Sequence, residues 1–258
     1  MIKLLSIILL ILLVIIGGKR GIKIFVNIYF SLFLIGILII LYGWGFNPLI
    51  CTFIICIIIS ILVLFFLNGV NKKTICSLIS VSIILIIFLT ITLIFNNRIY
   101  IQGYTEENIE NISYVTYDTG LNMLSIATSI VIIGLIGNIV DSSIAISSAL
   151  YEIHVNNPKL SIKELFLSGM NIGRDIIGTT TNTLFFAYLA SSMTLFIYFQ
   201  DFGYSFTSII NSKIFAIEFT RIMLSGMASF LVIPLTSYVT SVVVKKEVFS
   251  NEEIKNSI

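Results

Sequence analysis

Long apolar runs separated by short polar connections set the pattern of this chain. They fall at about 2–17, 22–42, 49–67, 75–95, 119–151, 176–199 and 219–244. An apolar run of about 18 residues or more is long enough to cross a bilayer as a helix. The pattern therefore predicts an all-α, polytopic helical bundle of about seven transmembrane helices. A membrane β-barrel would show short alternating segments, and none occur. Asn47-Pro48 is expected to close a tight turn and start the third helix, since proline is tolerated in a first helical turn. Asn156-Asn157-Pro158 is a breaker. Ser161 and Glu164 fit a capping box, opening a short amphipathic helix at the membrane surface with Ile162, Leu165, Phe166 and Met170 on its apolar side.

Composition supports the same class. The chain is 57% hydrophobic and 11% charged, with a mean hydropathy of +1.07, against about 25% charged residues in soluble domains. The lipid bilayer is thus the first partner. The formal net charge of +2 gives no sign of nucleic acid. The basic residues cluster instead in alternate connections. Lys19, Arg20, Lys23, Lys72, Lys73, Lys159, Lys163, Arg174, Lys245, Lys246 and Lys255 are set against Lys3, Arg98, Lys213 and Arg221. The positive-inside rule then gives an outside N-terminus and a cytoplasmic C-terminus. Cys51, Cys56 and Cys76 lack metal or redox spacing, and His154 is the single histidine, so the cysteines read as small packing residues.

Residues 1–18 form the first span, 19–245 a six-helix membrane domain, and 246–258 a cytoplasmic tail. Lys3 and the apolar run after it also have the length of a signal peptide, but no small-x-small cleavage site follows. Segments two to four are nearly featureless. Tyr42 and Trp44 sit where interfacial anchors belong. The acidic loop from Asn96 to Asp118 reads as a solvated outer connection, with room for a helical turn or two at Glu106–Glu110.

Chemistry concentrates between Gly134 and Ser192. Gly134, Gly137, Asp141, Ala145, Ala149 and Glu152 recur at three- and four-residue steps, so they share one helix face. Small residues there let a neighbouring helix approach, and Asp141, flanked by Asn138 and Ser142, is expected on that face rather than towards lipid. Arg174 and Asp175 mark the cytoplasmic end of the sixth span, and Thr179 to Thr183, with Asn182 among them, enter the membrane. Counted from the cytoplasmic ends, Asp141 and Asn182 reach the same half of the bilayer. Two meanings stand side by side. Ser, Thr, Asn and Asp141 can act as interhelical glue, or Asp141 can titrate and line an ion or proton path. Glu218 and Arg221, three residues apart, share a face of the last span. Pro234 introduces a kink there. No Ser-His pair, catalytic carboxylate pair or metal-ligand set is found, so neither an enzyme nor a cofactor is expected.

These residues resemble the YibE/F family of bacterial multi-pass membrane proteins. The likeness runs through Asp141-Ser142-Ser143-Ile144-Ala145, Leu150-Tyr151-Glu152 and Asn157-Pro158. It continues through Leu167 to Thr179, Asn182-Thr183-Leu184, Ala187-Tyr188, Glu218, Arg221 and Ile233-Pro234-Leu235. The resemblance covers residues 19–245 and implies a bacterial cell membrane location. It is closest to the short, YibF-like member of a two-protein pair, implying assembly with a longer YibE/F partner or with itself. It implies a topology and no chemistry.

A looser resemblance links Gly137, Asp141, Glu152, Arg174, Thr179 to Thr183, Gly226 and Pro234 to the last three helices of a SecF or resistance-nodulation-division half-unit. That order implies a transport or export role. The alternative is a scaffold that holds its partner through the small-residue faces.

Overall fold

A computed structural model describes residues 2–99 and 122–255. The chain-order elements are α1 (Ile2–Gly43), α2 (Pro48–Ile61), α3 (Lys72–Ile99), α4 (Met123–Asn156), α5 (Ile162–Ser191), α6 (Met193–Asp201), α7 (Phe206–Asn211) and α8 (Lys213–Lys255). A π-helical turn, Leu62–Phe66, prolongs α2. The expected helical turns at Glu106–Glu110 lie outside the described residues.

Local chemistry sets the helix ends. The Asn47 side chain accepts a hydrogen bond from Leu49 N at 3.0 Å, with Pro48 in the first turn of α2. Asn122 accepts from Leu124 N and Ser125 N at the start of α4. The Ser161 capping box is complete: Ser161 N donates to Glu164 Oε2 at 2.7 Å, and Glu164 N donates to Ser161 Oγ at 3.3 Å. Each arrangement pairs backbone N–H groups that a helix start leaves without partners.

Counted by length and composition, the described residues offer fewer separate spans than the seven expected. Five helices are long and apolar enough to cross a membrane, or six if α5 and α6, bent by 41° at Ser192, count as one broken span. The first two apolar segments run together as α1, broken only at Gly18 (φ 52°, ψ −131°). That left-handed conformation suits glycine. The two halves are not collinear, because a Cβ at Gly21 would run into the carbonyl oxygen of Leu13. The first two apolar runs are thus two helices that meet at a sharp kink, with Lys19-Arg20 directly after it.

The separate surface helix is also not formed. Its cap is in place, but α5 continues from Ile162 through Arg174 and Asp175 to Ser191. Gly169 and Gly173 are contact points rather than breaks. A Cβ on Gly169 would press on Ser237 and Leu150, and one on Gly173 would strike Ile233. With no proline or loop signal there, the helix keeps its backbone pairing and uses the glycines to approach α8. The Pro234 segment likewise stays within one helix.

The centre of the molecule is the triple packing of α3, α4 and α8, with α5 laid against α8 and α4, and α2 against α4. Its apolar part includes Cys56, Leu85, Phe88, Ile132, Ile139, Ile146, Leu150 and Val232, all buried. Cys76 is buried too and Cys51 half-buried, as small packing residues should be. Most of α1 before Gly18 stays outside this core. Apolar side chains so placed match a hydrocarbon environment.

Candidate functional site in the membrane helices

One tight approach and one ordinary contact orient α5 against α4. Leu150 reaches the Cβ position of Gly169, and the Tyr188 hydroxyl lies 3.9 Å from the Cβ position of Gly134. These pairs make the two helices antiparallel. Between them, Asp141 falls level with the stretch from Gly178 to Thr181.

The side chains do not meet as the depths alone suggest. Asp141 and Asn182 are both exposed in the single chain. Asn182 stands two and a half turns beyond Gly173, which places it opposite the α8-facing side of α5. Among the described residues no hydrogen bond joins it to Asp141. Thr179 turns inward on its own helix, its hydroxyl donating to Ile176 O at 3.1 Å, and Thr183 donates to Thr179 O at 3.0 Å. Arg174 and Asp175 are exposed.

The small-residue stripe of α4 is correspondingly open. Gly134, Gly137, Asp141 and Ala145 are exposed, and nothing lies within 4 Å of a Cβ at Gly137. Helix α5 touches α4 above and below this stretch and leaves the middle uncovered. Beside it, Ser142 is buried, and the Asn138 amide nitrogen is buried without a hydrogen-bond partner. A carboxylate and glycines thus occupy one exposed patch near the middle of the candidate span Leu124–Asn156, with a buried, unpaired amide donor beside it.

A second polar feature was not anticipated. Hydroxyls line the buried seam of α3, α4 and α8. Ser77 and Ser147 hydroxyl oxygens are 2.6 Å apart, Ser143 and Thr236 are 3.1 Å apart, and Ser143 also donates to Ser77 O at 3.3 Å. Towards the other end, Asn96 Nδ2 donates to Thr128 Oγ1 at 3.0 Å. Ser225, Ser237 and Thr240 hydroxyls are buried with no partner. The signal was present as Ser and Thr at helical spacing within α3, a segment that otherwise reads as featureless. Ser143 beside Thr236, and Lys245 Nζ donating to Pro158 O at 2.6 Å, make α4 and α8 parallel. Pro234 is therefore level with Asp141. Glu218 and Arg221, expected on one face, form an ion pair at 3.1 Å, while Arg221 Nε stays buried and unpartnered.

Apolar helices packed around a hydroxyl-lined centre, with outward apolar side chains, define a helical integral membrane protein. The model of the YibE/F-like proteins matches residues 5–246, and the chain belongs to that family. No curated protein and no solved structure gives a significant match.

Proposed function

We propose that this chain is a subunit of a transport or export system, and that Asp141, with Asn138 and Ser142, forms its polar intramembrane site. The observation that carries this reading is the exposure of Asp141 in mid-span. An acidic side chain facing lipid there costs roughly 2.5–3.5 kcal/mol on insertion scales. A water-filled path, or a partner that completes one, removes that cost. In this reading Asp141 binds and releases a proton or cation, and the Thr179–Thr183 segment with Asn182 forms the facing wall once a partner is in place. The partner is a second YibE/F protein or another copy of this chain. Arg174 and Asp175 lie towards the cytoplasm, and Glu218–Arg221 lies towards the outside. The two parts of α1 divided at Gly18 cross separately, giving seven crossings with the N-terminus outside, in a bacterial cytoplasmic membrane. The role is one of conduction rather than catalysis.

A second reading is favoured by Gly137 and Ala145, which flank Asp141 on the uncovered face. It is a scaffold that docks another membrane helix there. Asp141→Asn separates the two, because Asn keeps shape and hydrogen bonding. In a transport subunit, proton movement into proteoliposomes is lost while co-purification of the partner persists. A scaffold loses the partner instead.

A further inference from the structure

The strongest unassigned feature lies away from Asp141, where the break in α1 meets the connection between α2 and α3. Lys19, Arg20, Lys23, Leu67, Asn68 and Lys73 line a cavity of about 450 Å³. Four of these six side chains are cationic and none is acidic. Like charges gathered without a counter-charge repel one another, so the arrangement calls for an anion from outside the lining.

Several features hold the cations in place. The Arg20 guanidinium donates to Asn68 Oδ1 at 3.1 Å, which fixes its orientation. The Lys23 ammonium stands 6.0 Å from the centre of the Phe66 ring. Phe66 closes the π-helical turn, and Leu67 and Asn68 follow it directly. An added residue in a helical turn rotates everything after it; here the residues after it are those that meet Arg20 and Lys23. Gly18, with its positive φ, places Lys19 and Arg20 at the bend of α1. Lys73 sits in the first turn of α3, which holds Lys72 as well and no acidic residue. Cations at a helix N-terminus oppose the helix dipole, and an anion there is favoured by both.

The position selects the kind of anion. The lining residues stand at the ends of apolar helices, where lipid headgroups lie. Basic pockets between membrane helices match phosphate headgroups in both charge and depth. We propose that this cavity binds the phosphate group of an anionic phospholipid headgroup. Arg20 supplies planar paired donors, and Lys19, Lys23 and Lys73 supply point charges around it.

The test uses the full chain purified in detergent and two probes. Native mass spectrometry reads retention of phosphatidylglycerol against phosphatidylcholine, and equilibrium dialysis reads radiolabelled inorganic phosphate. The wild type should retain phosphatidylglycerol at least about tenfold over phosphatidylcholine, since each basic residue near an anionic headgroup contributes about fivefold. The variant Arg20→Gln/Lys23→Gln/Lys73→Gln should lose that preference, and Lys159→Gln/Lys163→Gln should keep it. Should the triple variant not fold, Lys23→Gln alone, at an exposed side chain, reads the same preference. Lipid retention without inorganic phosphate binding assigns the lipid as the source. Binding of inorganic phosphate as well, lost in the same variant, assigns the site to free phosphate and overturns the lipid. No preference in the wild type, or one that survives the substitutions, overturns the site itself.

Discussion

Ser77 and Ser147 share a hydrogen bond across α3 and α4, their hydroxyl oxygens 2.6 Å apart in a fully buried seam. Moving the same number of residues along α3 and back along α4 leads from this pair to Asn96 and Thr128, also bonded. The two helices therefore pack antiparallel in one register along most of their length. Such bonds matter in a membrane because water offers no alternative partner.

Breaking that pair should be measurable. Ser77→Ala or Ser147→Ala should each destabilise the protein by about 0.6 kcal/mol, with an upper range near 1.7 kcal/mol. The double variant should cost less than the two together, because both remove the same bond. Unfolding in detergent mixtures reads all three. Strictly additive losses would mean that the hydroxyls do not interact.

The glycines of α5 give a sharper contrast. Gly173→Ala forces a methyl against Ile233, and Gly169→Ala forces one against Ser237 and Leu150. Each should cost roughly 1–3 kcal/mol, the range for overpacked interiors. Gly178→Ala meets nothing within 4 Å, so it should be neutral or stabilising by up to about 1 kcal/mol. The same unfolding assay ranks them. Equal effects at Gly173 and Gly178 would contradict the close approach of α5 to α8.

Topology is tested by reporter fusions. Those placed after Lys73 and after Asn157 should report cytoplasm, and one near Glu107 should report the outside. Reversal at two of these sites would overturn the orientation argued from charge.

How much of this was legible in the sequence depended on the range of the interaction. The starts at Asn47-Pro48 and Ser161–Glu164 were readable because each cap joins residues two or three apart. The Glu218–Arg221 pair was readable for the same reason. Span count was less so: whether Gly18 separates two helices or bends one depends on packing around Leu13 and Gly21. Nothing in the sequence singles out Gly173, and only its contact with Ile233, far along the chain, shows it as a packing site. The hydroxyl seam escaped because one serine in an apolar run carries little information until its partner helix is known. At the Asp141 site, a helical repeat put Gly137 and Asp141 on one face, but could not say whether this chain covers that face.

The central claim is that Asp141 occupies a polar site within the membrane. The most direct measurement replaces Cys51, Cys56 and Cys76 with alanine, introduces Asp141→Cys, and exposes native membranes to a small charged thiol reagent. Ile86→Cys, an exposed apolar position on α3, serves as the lipid-facing control. Only ionised thiols in contact with water react readily. The account predicts rapid labelling at position 141 and little at position 86. Labelling at 141 as slow as at 86 would place Asp141 in lipid or under a dry interface, and would contradict the polar pathway.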